Sequence, residues 1–473
     1  MGTINAAFYL ITGAIEADQS ALDIVANNVA NANTPGYTRE IPNWSERVPV
    51  EINGISYGTG VSQTGPTSVR DRVLEERLSQ QQQAASGSSA RLTALDSMQS
   101  LFTPASGSSD AVAGDIGSDI TGFFNSFASL EANATDMSLR NAVLATARIL
   151  AGDISNAAAS LNSQRTSLDQ QAASITSQVN SLTAAIAQLN LEIEGSSPNG
   201  DAGSLEDERQ LDLSKLSQLI GINQIRTDNN GISVTTATGE MLLSEGTSYS
   251  LSKGTAGGET HFYLGGADIT SGLTSGDGEL GGLLTARDQD IPQALEALDE
   301  LAYGLSTQVN ALNNGGSDLN GNTGTTASPL YIFAQPTAVA GSAATMRVVM
   351  TDPSQVAAAA AGTGVGDNGN ARALAALGNA QFVAGLTPSG FYANFVTALG
   401  ATVAQVQITN TAQNASVAQL QTVRNSLSSV NLNDEASFLQ QFERSYQAAS
   451  QIFAILNRIM ASAINLGMQT TVS

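Results

Sequence analysis

Side chains able to do chemistry are scarce in this sequence. His261 is its one histidine, set in a strand-like stretch, and no elbow-type serine motif accompanies it to form a nucleophile–base pair. The two lysines, Lys215 and Lys253, each follow a serine rather than a glycine, so no phosphate-cradling P-loop exists. Gly276–Gly281 formally spells GxGxxG, but Asp277 and Glu279 stand where a pyrophosphate would lie, and the stretch reads as a turn into a helix. Asp318, Asn320 and Asn322 have the spacing of the first ligands of a calcium loop. Thr323 replaces the glycine that would turn that loop, and Pro329 replaces its bidentate glutamate. The pair Asp288/Asp290 and the run Glu206, Asp207, Glu208 read as solvated helix faces. The absence of cysteine excludes disulfides, thiolate metal sites and cysteine nucleophiles together. This inventory describes a protein that is not an enzyme. It assigns no catalytic residue, no cofactor and no metal.

Composition narrows the partners. The 473 residues exceed what one core usually serves, so two to four domains are expected. Net charge is −23 with a pI near 4.2, which argues against nucleic acid or anionic membrane as a partner, because phosphate contacts need Lys and Arg. No apolar run approaches the length of a membrane span. The opening MGTINAAFYLITGAIEADQS lacks a basic segment and carries Glu16 and Asp18, unlike a cleavable secretory signal.

What the chain does carry is helical periodicity. Ile4, Ile11 and Val25 fall on one heptad line, interrupted by Asp18. Phe8, Ile15, Leu22 and Val29 fall on the line four residues on, together forming an a/d seam of the kind that faces another helix. Pro35 and Gly36 end it. The far terminus mirrors this arrangement. Phe438, Ile452, Ile459 and Leu466 share one line, and Phe442, Ala449, Leu456 and Ala463 the other, with Asn433 as the expected N-cap and Asp434 and Glu435 in the first turn. These two seams are expected to pair and to serve as the assembly interface. A further seam runs from Ile154 to Ile193 and another from Val396 to Leu427, expected in one antiparallel bundle. Additional helices are expected at about 71–100, 137–152, 204–220 and 284–312.

Strand-like stretches are grouped apart, at about 222–280, with Asn230-Gly231 as a hairpin turn, around Met346–Met350, and at about 47–69. The expected architecture is therefore mainly α with inserted β: paired terminal coiled-coil-like helices, a long-helix bundle domain, and a β-rich outer domain. By residue, 1–45 and 430–473 form the terminal helical unit. Residues 46–221 and 281–429 form the bundle, with a β-rich segment near 325–365, and 222–280 form the β-rich domain.

Ala26–Arg39 reads ANNVANANTPGYTR, a helix that tapers into a turn. The string closely resembles the N-terminal signature of the bacterial flagellar axial family, which comprises rod, hook and hook-associated proteins. The motif positions are Ala26, Asn27, Asn28, Asn31, Asn33, Thr34, Pro35, Gly36, Tyr37, Thr38 and Arg39. Ser68–Leu78, Arg140–Leu150, Leu182–Ile193, Leu205–Ile222 and Val430–Ala449 continue the resemblance in order, and Gly278–Gly321 carries it most strongly. Within the family, the NTPGYTR form looks most like the hook-associated members at the hook–filament junction. The chain departs from the pattern in its Asn-rich sequence before Gly315-Gly316-Ser317, in an insertion at Thr325–Pro329, and in a short 330–400 region. The resemblance implies a structural component that forms a ring homo-oligomer joining hook to filament, placed outside the cell after export through the flagellar type III apparatus. The implied partners are further copies of the chain, the flagellar hook protein, the third hook-associated protein on the filament side, and a flagellar export chaperone. The alternatives weighed are a sibling axial protein, such as hook protein or the third hook-associated protein, and a secreted adhesin or enzyme on a helical stalk.

Overall fold

The computed structural model describes residues 2–52, 54–102, 115–197, 201–257, 259–274 and 277–469. Gly276 of the GxGxxG string lies outside them, as do the side chains of Ile4 and Leu466 expected in the terminal seams.

The chain begins with α1 (Gly2–Asn31) and continues into a β arm of β1 (Glu40–Glu46), β2 (Val50–Ile52), β3 (Ile55–Tyr57) and β4 (Val61–Ser68). β1 pairs antiparallel with β4, with a bulge between Asn43 and Trp44, and β2 pairs with β3 at the arm's tip. Next come α2 (Arg72–Phe102), α3 (Ile116–Ala132), α4 (Met137–Ser196) and α5 (Ser204–Leu219). The helices expected at 137–152 and 154–193 are thus one helix of 60 residues, because neither Gly152 nor Asp153 interrupts the hydrogen-bond ladder. Helix α3 was not expected. It buries Ile120, Phe123, Phe127 and Leu130 completely, and side chains of this size each return about 1.5–3 kcal/mol on burial.

The β region holds a four-stranded sheet of β5 (Ile222–Arg226), β6 (Ile232–Thr236), β7 (Met241–Ser244) and β8 (Thr247–Ser248). A three-stranded sheet follows, of β9 (Leu251–Ala256), β10 (Glu259–Leu264) and β11 (Ala267–Asp268). The hairpin between β5 and β6 turns at Asn229 and Asn230, with φ of 57° and 62°, rather than at Asn230-Gly231. Asn tolerates this left-handed backbone almost as glycine does.

After α6 (Thr270–Thr274), α7 (Gly278–Thr285) runs through a π turn (Ala286–Asp290) into α8 (Ile291–Gly315), where Pro292 lacks the N–H an uninterrupted ladder would use. Glycine decides how α7 packs. A Cβ on Gly282 would run into the Gly87 carbonyl of α2, and one on Gly278, at φ +87°, would lie 2.6 Å from Ile220 Cα. Gly278 of the string and Gly282 just after it are therefore used for backbone-to-backbone contact. After the short α9 (Ser342–Thr345) and α10 (Gly369–Ala376), the chain closes with α11 (Pro388–Ser428) and α12 (Leu432–Gln469).

One continuous core joins the bundle to both sheets of the β region, including Val234, Leu242, Leu251 and Phe262 beside Leu150, Ile186 and Leu305. Helix α11 belongs to this bundle but lies on α2, not on α4 as its seam suggested. Asn410 donates to Ala85 O and Ser88 Oγ, and Phe395 meets Phe102 at 4.9 Å. The stretch 325–365 holds isolated bridges, Phe333 with Val348 among them, and no strand. Its backbone finds partners elsewhere. Asn310 donates to Phe333 O and accepts from Phe333 N–H, and Asn313 donates to Leu330 O and accepts from Ala357 N–H. A buried amide side chain presents both donor and acceptor side by side, as a neighbouring strand would. Gln83 on Ile222 and Asn180 on Leu251 repeat the device and fix strands to helices. Asp318 spends its carboxylate on Asn320 N–H, Asn322 N–H and Asn322 Nδ2, which accounts for the calcium-like spacing as a closed turn.

Candidate assembly interface

α1 and α12 lie side by side and antiparallel: Phe8 meets Phe453 edge-on at 5.4 Å, Gln19 donates to Tyr446 Oη, and Asn28 reaches Glu435. The facing lines differ from the expected seam. On α1 the buried positions are Ile11, Ala17, Asp18, Ala21, Ile24, Val25 and Asn28, while Ile15 and Leu22 are half-buried and Val29 is 46% exposed. On α12 Ala449 is buried and Phe442, Phe453 and Leu456 are half-buried. Phe438, Ile452 and Ile459, expected in the seam, are 36%, 46% and 49% exposed.

The reason is that α1 has two neighbours. Its second face meets the β arm, where a Cβ on Gly13 would lie 3.2 Å from Val61 O and one on Gly60 would lie 3.4 Å from Leu10 Cα. Trp44 of β1 also touches Phe442 of α12 at 5.9 Å. Two packing faces require apolar or small residues on more lines than one a/d seam, so one expected line of each helix packs, Ile11 and Val25 on α1 and Phe442, Ala449 and Leu456 on α12, while the other is partly or largely exposed. The displaced Phe438, Ile452 and Ile459, together with Ile455, form a stripe of exposed apolar side chains along α12.

The motif Ala26–Arg39 is a knot tying the terminal helices to the bundle. Thr34, Pro35, Gly36 and Tyr37 make a tight turn closed by Tyr37 N–H donating to Thr34 O, with Pro35 at its second position and Gly36 at φ 83°. That conformation suits proline and glycine in this order. The turn delivers Tyr37, Thr38 and Arg39 to their partners. Asn28 accepts from Glu40 N–H at 2.9 Å and from Tyr37 Oη at 2.8 Å, and it donates to Glu40 O at 2.8 Å and to Glu435 Oε2 at 3.2 Å. Arg39 donates to Glu435 Oε1 at 2.7 Å and sits over the Phe438 ring, while its N–H donates to Ser428 O. Thr38 N–H donates to Asp207 Oδ2, and Arg424 joins Glu75 to the Gly36 carbonyl. Ala26, Asn27, Asn33, Thr34 and Pro35 are exposed, and Asn31 caps the turn by bonding Thr34.

Electrostatics keep the phenol of this knot protonated. Burial, reinforced by the charges of Glu40, Asp207 and Glu435, pushes the Tyr37 phenol well above its ordinary range, so it remains a donor. Burial likewise raises the Glu40 carboxyl, with Asp201 and Asp207 adding to the effect. Glu435 is 1% exposed and is the acceptor on which both Asn28 and Arg39 converge. Sequence reading placed it only in the first turn of a helix. The true cap is Asn431, whose side chain accepts from Asn433 N–H. Among 42 acidic residues, no local signal singles out the one that meets Arg39.

Among the described residues no cluster of His, Cys, Asp and Glu could hold a metal, and no helix is long and apolar enough to cross a membrane.

A family model for the helical domain of flagellar hook-associated protein FlgK matches residues 106–327, and one for flagella basal body rod proteins matches residues 8–38. The chain is 24% identical to flagellar hook-associated protein 1 of Escherichia coli K12 over 547 residues, covering 96% of this chain and 98% of that protein. To flagellar hook-associated protein 1 of Bacillus subtilis 168 it is 26% identical over 504 residues, covering 96% of each. The solved flagellar hook junction protein FlgK from Burkholderia pseudomallei superposes with a TM-score of 0.63 at 20% identity, over 75% of this chain and all of that one, which establishes a shared fold.

Proposed function

This chain belongs to the flagellar hook-associated protein 1 family, and from that premise we propose that it is a structural component of the hook–filament junction, assembled as a ring of identical subunits. The observation that carries the assembly mode is the apolar stripe on α12, outward-facing on a helix whose other face is already occupied by α1. Isolated exposed Ile or Leu residues are ordinary, but Phe438, Ile452, Ile455 and Ile459 on one face of one helix form a patch that fits a protein partner. In a ring the same patch meets a neighbouring subunit at every step, so a small gain per contact is repeated around the closure.

On this reading Phe438, Ile452 and Ile459 contact the next subunit, while Ile11, Val25, Phe8, Phe442 and Leu456 hold the two terminal helices of one subunit together. Ile15, Leu22 and Val29 border both. The motif Ala26–Arg39 fixes the angle at which the terminal pair leaves the bundle. The further partners are hook protein on one side and the third hook-associated protein on the other, with a flagellar export chaperone before assembly and the flagellar export apparatus as the route out of the cell. The role is mechanical rather than catalytic.

The test uses purified protein and isolated hooks. The wild-type chain should cap hooks and allow filament protein to polymerise beyond them. Ile459→Glu should leave monomer unfolding within about 0.5 kcal/mol of wild type, as an exposed site does, yet fail to cap. Normal capping by Ile459→Glu would remove the stripe from the interface, and a strongly destabilised monomer would mean that Ile459 is packed within the subunit.

A further inference from the structure

We propose that a pocket between α2, α5 and β5 binds a small oxyanion of the phosphate class. Arg70, Arg72, Arg209 and Arg226 line a cavity of about 250 Å³ there, together with Glu206 and Glu76. The chain has only 19 basic residues against 42 acidic ones, so four arginines around one cavity need an explanation.

Carboxylates account for part of it. Arg70 pairs with Glu206 and Asp207, and Arg72 reaches Glu206 at 3.1 Å. Burial opposes ionisation of Glu206, but the Asn230 amide and the Arg70 and Arg72 guanidiniums hold its carboxyl below the ordinary range, so these pairs are charged. The other two arginines lack a carboxylate. Arg209 is 4% exposed and donates through Nη1 to two neutral oxygens, Asn190 Oδ1 and Asn230 O. Arg226 has no hydrogen-bonded or ion-paired partner among the described residues, and the Nε of the buried Arg70 also lacks one. Burial, with the neighbouring Arg70 and Arg72 charges adding to it and Glu206 opposing it, depresses both guanidiniums, Arg209 to about 10.

Four guanidiniums share the single buried Glu206 carboxylate and its neighbour Asp207, and an oxyanion accepting from several guanidinium forks would balance the excess positive charge. The cavity has room for one tetrahedral oxyanion with water and is smaller than drug-sized sites, so a nucleotide does not fit. Asp207, which flanks the cluster through Arg70, also accepts Thr38 N–H of the motif, so an occupant would sit one side chain away from the knot.

Inorganic phosphate is the probe, titrated into the full chain by calorimetry at constant ionic strength with chloride as the balancing anion. One saturable site is expected. Arg226 and Glu76 are both exposed, so their variants should fold. Arg226→Gln should weaken binding about tenfold or more, the loss expected of one charge-assisted hydrogen bond. Glu76→Gln should tighten it by removing a repelling carboxylate. Opposite signs from two neutralising substitutions on one pocket would support the assignment, and a merely structural role for the arginines would not produce them. Heats that fail to saturate, binding matched by chloride, or equal affinity in wild type and Arg226→Gln would overturn it.

Discussion

Asn28→Ala tests the knot directly. The substitution deletes four hydrogen bonds: two to the backbone of Glu40, one from Tyr37 Oη and one to the Glu435 carboxylate. Neutral bonds are worth about 0.5–1.5 kcal/mol net and those to charged groups about 1.5–3. Glu40 and Tyr37 are only half-buried, so water takes over part of their bonding and the low end applies, giving a loss of about 3 kcal/mol. Asn28→Asp keeps the acceptor for Glu40 N–H and Tyr37 Oη but turns the donor into a second anion beside Glu435. It should be at least as damaging at neutral pH and should recover in part in acid, where the new carboxyl regains a proton to donate. Amide hydrogen exchange is the assay, because it reads local opening rather than one global transition in a multi-unit chain. About 3 kcal/mol corresponds to a roughly hundredfold larger opening constant at the Glu40 amide and along α1, with the amides of α4 as an internal reference. Less than a threefold change would mean that water, not Asn28, satisfies Glu40. An equal change in α4 would mean that the knot is part of the bundle core and not a joint.

Gly282→Ala should destabilise the bundle by about 3 kcal/mol, because the added methyl meets the α2 backbone at Gly87 and no side chain can yield; Gly122→Ala, whose Cβ enters open space on α3, should instead stabilise by about 0.5–1 kcal/mol, both read from thermal unfolding. Asp119 and Asp153 each bury one carboxylate oxygen with no hydrogen-bond partner, and burial followed by the Asp153 carboxyl pushes the Asp119 carboxyl up to about 7. A folded-state pKa above the unfolded value near 4 means that the native protein holds the extra proton, so stability falls as pH rises from about 4 to about 7. Asp153→Asn should therefore gain about 1 kcal/mol at pH 8, a figure discounted because both groups keep part of their hydration, and less at pH 5. Equal gains in unfolding midpoint at the two pH values would contradict this account.

Periodicity and turn chemistry were enough to place most elements, and the physical reason is that both act within a few residues. The heptads of 4–29, 154–193 and 438–466 demanded helices, Pro35-Gly36 demanded a turn, and the 222–280 stretch demanded strands. Local pattern was misleading where a segment's hydrogen-bond partner was distant. The extended residues around Phe333 and Val348 read as strands, yet Asn310, on a helix, supplies the donor and acceptor that a neighbouring strand would have supplied.

The interface divides in the same way. That α1 and α12 carry seams is a property of their own sequences, set by the 3.6-residue turn. Which line faces inward depends on how many neighbours each helix has, and the β arm against α1 shifted the contact so that Ile452 and Ile459 point outward. The motif Ala26–Arg39 was visible as a string, and its turn followed from Pro35 and Gly36. Its function as a joint was not visible, because Glu435, Asp207 and Ser428 lie far along the chain and only folding brings their charges and carbonyls to Asn28, Thr38 and Arg39. The sequence by itself determined that the two ends are helices with apolar faces. Only the tertiary structure decided which apolar residues are used within the subunit and which remain exposed, because burial is a property of neighbours rather than of spacing.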